Sequence, residues 1–220
     1  AGAAQAVAAE GDLVAVACFS AGLELYDVSL PRRPRRVGGV DTPGFAYGVA
    51  LADGVAYVAD FTAGLRIVDV TRPSSPRERS SLTTLRRAVE VVVDGPWAYI
   101  ADARDGVIVV DLSDLDRPQE AAMIATAAGT TERLDQGLCL DGGRLLIAEE
   151  HLWTVDVSQP ERPRTITGFD LRAEASDLVI ASRLAIVGLK DGGVEILRRT
   201  ACGGGGAVGG AVAAGSAAAQ

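Results

Sequence analysis

The sequence predicts an all-β protein, a β-propeller of about five four-stranded blades, on three observations. A phrase recurs as Gly22-Leu23-Glu24-Leu25-Tyr26-Asp27-Val28, Gly64-Leu65-Arg66-Ile67-Val68-Asp69-Val70 and Gly106-Val107-Ile108-Val109-Val110-Asp111-Leu112. Weaker copies begin at His151 and Gly193, so the steps between copies are 42, 42, 45 and 42 residues. Each copy lies among short apolar runs bounded by turn residues, and no helical period of about 3.6 residues runs through them. A unit of this size cannot bury its apolar faces alone, so the period signals units stacked on one another.

Four extended segments make up each unit. The first is an apolar run ending in Asp-Gly, as in Val49 to Ala52 before Asp53-Gly54, Val91 to Val93 before Asp94-Gly95, and Leu138 to Leu140 before Asp141-Gly142. Asp-Gly between apolar runs predicts a tight hairpin, because both residues tolerate positive φ. The second segment reads Val55-Ala56-Tyr57-Val58-Ala59-Asp60, and its equivalents begin at Trp97, Arg144 and Arg183. These runs are rich in β-branched and aromatic residues, as strands are. The recurring phrase is the third strand, and a fourth follows a turn that in most copies contains Pro, as in Asp69-Val70-Thr71-Arg72-Pro73. The strands are near-continuous apolar runs, which predicts sheets covered on both faces.

The units fall at about 5–46, 47–88, 89–135, 136–175 and 176–199, giving one propeller domain over 1–199. Residues 200–220 are rich in Gly and Ala and read as a flexible tail, since they lack bulky side chains to bury. The recognisable pattern stops after the third strand of the fifth unit. The missing fourth strand is expected from residues upstream of Ala1, or the units are expected to form part of a larger ring, because Gly203 to Gly206 suit a strand poorly.

Leu65-Arg66-Ile67-Val68-Asp69-Val70, the preceding Ala56-Tyr57-Val58-Ala59-Asp60 and the following Pro73-Ser74-Ser75-Pro76 resemble the LVIVD repeat, a propeller-type repeat of bacterial and archaeal surface or secreted proteins. The resemblance implies a propeller in an extracytoplasmic setting, at the cell surface, secreted or periplasmic, and carries no agreed catalytic residues. It fades in the fourth unit, where His151 replaces Gly, and in the fifth, where Arg198 replaces Asp.

A net charge of −8 argues against nucleic acid or an anionic membrane surface as partner. The tail lacks the Leu, Ile and Phe of a membrane span. Cys18, Cys139 and Cys202 are spaced too irregularly for a zinc ribbon or a disulfide framework, and the first two read as small core residues.

Asp27, Asp69, Asp111 and Asp156 recur with Ser or Thr two residues later, the pattern of an Asx turn, so they are expected to be structural. A second acidic set, Asp60, Asp102 and Glu149 with Glu150, ends the second strands. Solvated hairpin ends are the expectation there, with a calcium site the alternative, since calcium needs six to eight oxygens. No other cofactor is expected. His151 is the sole histidine, and no phosphate-binding glycine motif opens a helix.

The loops from the fourth strand of one unit to the first of the next share a face with the second-to-third turns. They carry Phe45 and Tyr47, Arg86, Arg87 and Glu90, Glu132, Arg133 and Asp135, and Arg172 and Glu174. Loops on a rigid scaffold commonly bind, and Tyr and Arg are favoured at hot spots. The expected function is a non-catalytic interaction scaffold that contacts a protein or glycan through this face. Two other readings are a propeller lyase or hydrolase using carboxylates at a central channel, and a structural spacer in a larger surface protein. Of the equivalent first-strand positions Gly48, Glu90, Gly137 and Ser176, only one is acidic, which weighs against the enzyme.

Overall fold

A computed structural model describes residues 2–125, 137–181, 184–199 and 208–212. The chain divides into two compact units, Ala1–Leu134 and Asp135–Gln220. Unit 1 holds three antiparallel four-stranded blades. Blade 1 comprises β1 (Ala6–Glu10), β2 (Leu13–Ala17), β3 (Leu23–Asp27) and β4 (Arg35–Val40). Blade 2 comprises β5 (Gly48–Ala52), β6 (Val55–Ala59), β7 (Leu65–Asp69) and β8 (Arg77–Leu82), and blade 3 comprises β9 (Ala88–Asp94), β10 (Trp97–Asp102), β11 (Gly106–Asp111) and β12 (Gln119–Ile124). Unit 2 holds two. Blade 4 comprises β13 (Gly137–Leu140), β14 (Arg144–Ala148), β15 (His151–Asp156) and β16 (Arg164–Asp170), and blade 5 comprises β17 (Ala175–Ala181), β18 (Leu184–Leu189), β19 (Val194–Arg199) and β20 (Val208–Val212). The fold is thus all-β, in five β-propeller blades, with no helix among the described residues.

β20 corrects one expectation. The segment read as a tail contributes a strand: Val208 to Val212 pair antiparallel with β19, with Arg199 opposite Val208 and Ile196 opposite Val212. The fourth strand of blade 5 therefore comes from the C-terminal segment, not from upstream residues. Backbone hydrogen bonds suffice to form a ladder, so the lack of large side chains in Val208-Gly209-Gly210-Ala211-Val212 does not prevent pairing.

The hairpins are tight, but their registers differ. In blade 2, Asp53 (φ 54°) and Gly54 (φ 72°) occupy both turn positions, as the sequence predicts. In blade 3, Asp94 pairs with Trp97, so the turn is Gly95-Pro96. Proline fixes a negative φ, which leaves Gly95 alone to take the positive one, at 54°. The outer strand pairs carry a register shift at equivalent sites in blades 1 to 4, between Leu25 and Tyr26, Ile67 and Val68, Val109 and Val110, and Thr154 and Val155, and slightly further along in blade 5, between Leu197 and Arg199. A bulge at that place increases local twist and disfavours edge-to-edge pairing. An ion pair spans the outer strands at one repeat position with its charges exchanged: Glu24 with Arg36 at 3.1 Å in blade 1, Arg66 with Glu78 at 2.5 Å in blade 2.

The core lies between blades. In unit 1, Ala15, Ala17, Leu23 and Leu25 of blade 1 join Ala56, Val58 and Val68 of blade 2. The other face of blade 2, with Tyr57, Leu65 and Ile67, joins Ala98, Ile100 and Val110 of blade 3. In unit 2, Leu146, Ala148 and Leu152 cluster with Ala185, Val187 and Leu197. All five residues of β6 are buried, as expected for a sheet covered on both faces, whereas β8 begins with three exposed ones.

Close approach of first strands fixes two glycines. A Cβ on Gly48 would lie 2.7 Å from the Val89 carbonyl oxygen and 2.8 Å from Glu90 Cα, and one on Gly137 would lie 2.8 Å from Leu178 N. Both glycines serve blade packing. Gly48→Ala should therefore lower unfolding stability by about 1–3 kcal/mol, the usual cost of forcing a methyl into filled space. Urea denaturation reads this directly, and an unchanged midpoint would contradict the stacking of β5 on β9.

Candidate interaction surface on the loop face

Two sets of carboxylates close opposite ends of the blades. Asp27, Asp69, Asp111 and Asp156 each accept a hydrogen bond from the backbone N–H two residues later, at 2.9, 2.9, 2.8 and 2.9 Å. Thr71 Oγ1 also donates to Asp69 at 2.6 Å. The Ser29 hydroxyl, its N–H and Arg35 together hold the Asp27 carboxyl down at about 2. The Thr71 hydroxyl lowers Asp69, as the Ser113 and Ser158 hydroxyls lower Asp111 and Asp156.

Three members of the second acidic set contradict the expectation of solvated hairpin ends, whereas Glu150 is exposed. Asp60, Asp102 and Glu149 are 0%, 1% and 3% exposed. Asp60 accepts Thr42 Oγ1 at 2.6 Å and Gly44 N–H at 2.9 Å. Asp102 accepts the N–H groups of Arg86 and Arg87, both at 2.8 Å, on one oxygen, and those of Arg104 and Asp105 at 3.0 and 3.3 Å on the other. Asp60 and Asp102 thus each clasp the loop that enters their own blade. Burial pushes the Asp60 carboxyl up, opposed by the Thr42 hydroxyl and the Gly44 N–H. Blade 5 makes a related contact from its third strand: Glu195, buried, accepts Arg172 N–H at 3.2 Å. Among the described residues no three His, Cys, Asp or Glu side chains converge to hold a metal ion.

The clasped loops of unit 1 carry an aromatic cluster. Phe45 stacks on Phe19 with centroids 4.4 Å apart and planes 12° from parallel. Tyr47 meets Phe19 edge-on at 5.5 Å and Phe61 at 5.3 Å, and Phe45 lies 6.4 Å from Phe61. The Arg87 guanidinium sits 5.9 Å over the Phe61 ring, a cation–π distance. The two halves are one design repeated. Phe19 exchanges backbone hydrogen bonds with Ala46, as Phe61 does with Ala88. The residue before each alanine, Phe45 or Arg87, then covers the phenylalanine of the preceding turn. Phe19 and Phe61 have φ of 47° and 50°, strained for bulky side chains.

The structure brings Phe45, Tyr47 and Arg87 together, with Arg86 beside them in an exposed ion pair to Asp105 at 3.4 Å. Glu90 stands in β9, half-buried, opposite Ala101 of β10. In unit 2, Arg172 lies 3.7 Å from Glu195, and Glu174 pairs with Lys190 at 2.7 Å. Glu132, Arg133 and Asp135 lie outside the described residues. His151 opens β15 and pairs with Asp170 at 3.2 Å, so it belongs to a strand end and not to a free turn. Cys18 is buried, Cys139 is half-buried, and both are free thiols. The sequence reading missed Phe19 and Phe61, although they recur at the 42-residue repeat step.

The LVIVD repeat family matches residues 1–42, 43–84 and 86–126, more than half of the chain. The chain belongs to the LVIVD-repeat family. No curated protein matches it. Among solved structures, the periplasmic gluconolactonase of Pseudomonas aeruginosa is similar, with a TM-score of 0.75 at 15% identity over 93% of this chain and 70% of that one. The Cps50 (Swd1) β-propeller domain of Myceliophteria thermophila gives 0.72 at 15% identity over 94% and 71%. The computationally designed Ika8 protein gives 0.64 at 9% identity over 86% of this LVIVD-repeat chain, which spans 56% of that protein. At such identities the likeness is one of fold.

Two measurements test this site's electrostatics. Carboxyls held below their unfolded values stabilise the fold above about pH 4 and lose that contribution as pH falls toward about 2. Replacing Asp27, Asp69, Asp111 and Asp156 together by Asn, which keeps an Asx acceptor, should flatten the fall in urea midpoint across that window; an undiminished acid slope would contradict it. Asp102→Ala removes the shared buried acceptor of four backbone N–H groups and should cost about 2 kcal/mol or more. A loss below about 0.5 kcal/mol in chemical denaturation, the range of an ordinary surface substitution, would contradict the clasp.

Proposed function

We propose that this LVIVD-repeat protein is a non-catalytic interaction module that binds a protein or glycan through the loop face of unit 1, outside the cytoplasm. The observation that carries the reading is the cluster of Phe19, Phe45, Tyr47 and Phe61 with Arg87, built on loops tied to the blades by buried carboxylates. A rigid scaffold presenting aromatic and arginine side chains is the composition of a recognition surface. Three polar groups that a catalyst could use are engaged in holding structure: Asp60 and Asp102 accept backbone N–H groups, and His151 pairs with Asp170. The extracytoplasmic setting is the one the family resemblance implies.

A capture experiment with cell-envelope protein and polysaccharide fractions tests this reading. Phe45→Ala/Arg87→Glu should lower the captured material at least about tenfold, the effect of losing one hot spot. Arg72→Ala, in the turn between β7 and β8 at the other end of the blade, should leave capture unchanged. Equal capture by wild type and the double variant would sink the loop face as the binding surface.

A further inference from the structure

We infer that the Phe45–Tyr47–Phe61–Arg87 surface binds an uncharged polysaccharide by stacking its sugar rings on the aromatic faces. The inference rests on the loop-face reading and commits it to one ligand class. Four observations select that class.

The first is the geometry of the rings. Phe45 is 41% exposed, the most exposed aromatic on this face, and Phe19 behind it holds its plane fixed. The C–H bonds on one face of a pyranose carry partial positive charge, and the face of an aromatic ring is its negative region, so a fixed, open ring is a seat for a sugar. The second is ring spacing. Centroids 4.4 to 6.4 Å apart place the rings in mutual contact, so they form a platform and leave no gap between rings for a quaternary ammonium.

The third is extent. The platform offers one well-exposed ring and three half-buried ones, whereas a standard protein interface buries about 800 Å² on each partner. One or two sugar rings match the smaller area. The fourth is charge. Arg86 is already paired with Asp105, Arg87 lies over the Phe61 ring, and the chain is acidic overall, which disfavours polyanionic uronates or phosphates as the ligand. Exposed Ser20 and Thr62, each next to a platform phenylalanine, and the Arg86–Asp105 pair supply donors and acceptors for hydroxyl groups. The strained φ of Phe19 and Phe61 fits this use, since glycine or asparagine would take that backbone at lower cost but place no ring there.

The experiment is calorimetric titration of the full chain with cellohexaose, xylohexaose and mannohexaose, with an alginate hexamer as the anionic control. At least one neutral hexasaccharide should bind, alginate should not, and Phe45→Ala should weaken binding about tenfold while Phe45→Trp retains it. Circular dichroism and the melting temperature check that both variants keep the fold. Binding that survives Phe45→Ala, binding of alginate alone, or no binding to any neutral hexasaccharide would overturn the inference. Phe45-dependent capture of an envelope protein without glycan binding would overturn it too, while leaving the loop-face reading in place.

Discussion

The loop face of unit 1 depends on a carboxylate buried where the second strand of a blade ends. Asp60 and Asp102 sit at the same repeat position, and each receives N–H groups from the loop that leads into its blade. A buried carboxylate is costly unless its oxygens are satisfied, and a loop at a blade junction has N–H groups that lack ladder partners. Each solves the other's problem. The bonds from Gly44 to Asp60 and from Arg87 to Asp102 also place the side chains that build the platform: Phe45 follows Gly44 directly, and Arg87 is itself a donor.

The acidic residues are therefore divided by position and not by chemistry. At one end of the blades, half-buried aspartates close Asx turns and titrate below their usual range. At the other, buried aspartates anchor the loops that carry Phe45 and Arg87. The aromatic residues follow the same repeat logic. A phenylalanine in the second-to-third turn of blades 1 and 2 is covered by the residue arriving on the next loop, a phenylalanine in one case and an arginine in the other. The result is one well-exposed ring, Phe45, among three half-buried ones across neighbouring blades, the arrangement that the proposed sugar stacking uses.

Much of this was legible in the sequence, because a fixed period forces equivalent residues into equivalent places. The blades, the Asx turns and the grouping of Phe45, Tyr47 and Arg87 on one face all follow from the repeat. The burial of Asp60 and Asp102 was not legible. An apolar run ending in Asp looks the same whether the carboxylate meets water or the N–H groups of an incoming loop, and only the folded loop decides. Phe19 and Phe61 escaped notice because they lie in turns, where an aromatic with positive φ is unusual. β20 was missed for a different reason: the glycine content of Val208–Val212 gives no side-chain pattern to read.

Amide hydrogen exchange tests the dependence of this surface on its buried anchors most directly. If Asp60 and Asp102 clasp the incoming loops, the N–H groups of Gly44, Arg86 and Arg87 exchange as slowly as those of the adjoining strands β5 and β9, opening only with the blade. Exchange of these amides at the rate of exposed loop residues, with the strands still protected, would contradict the clasp and the placement of the aromatic platform that rests on it.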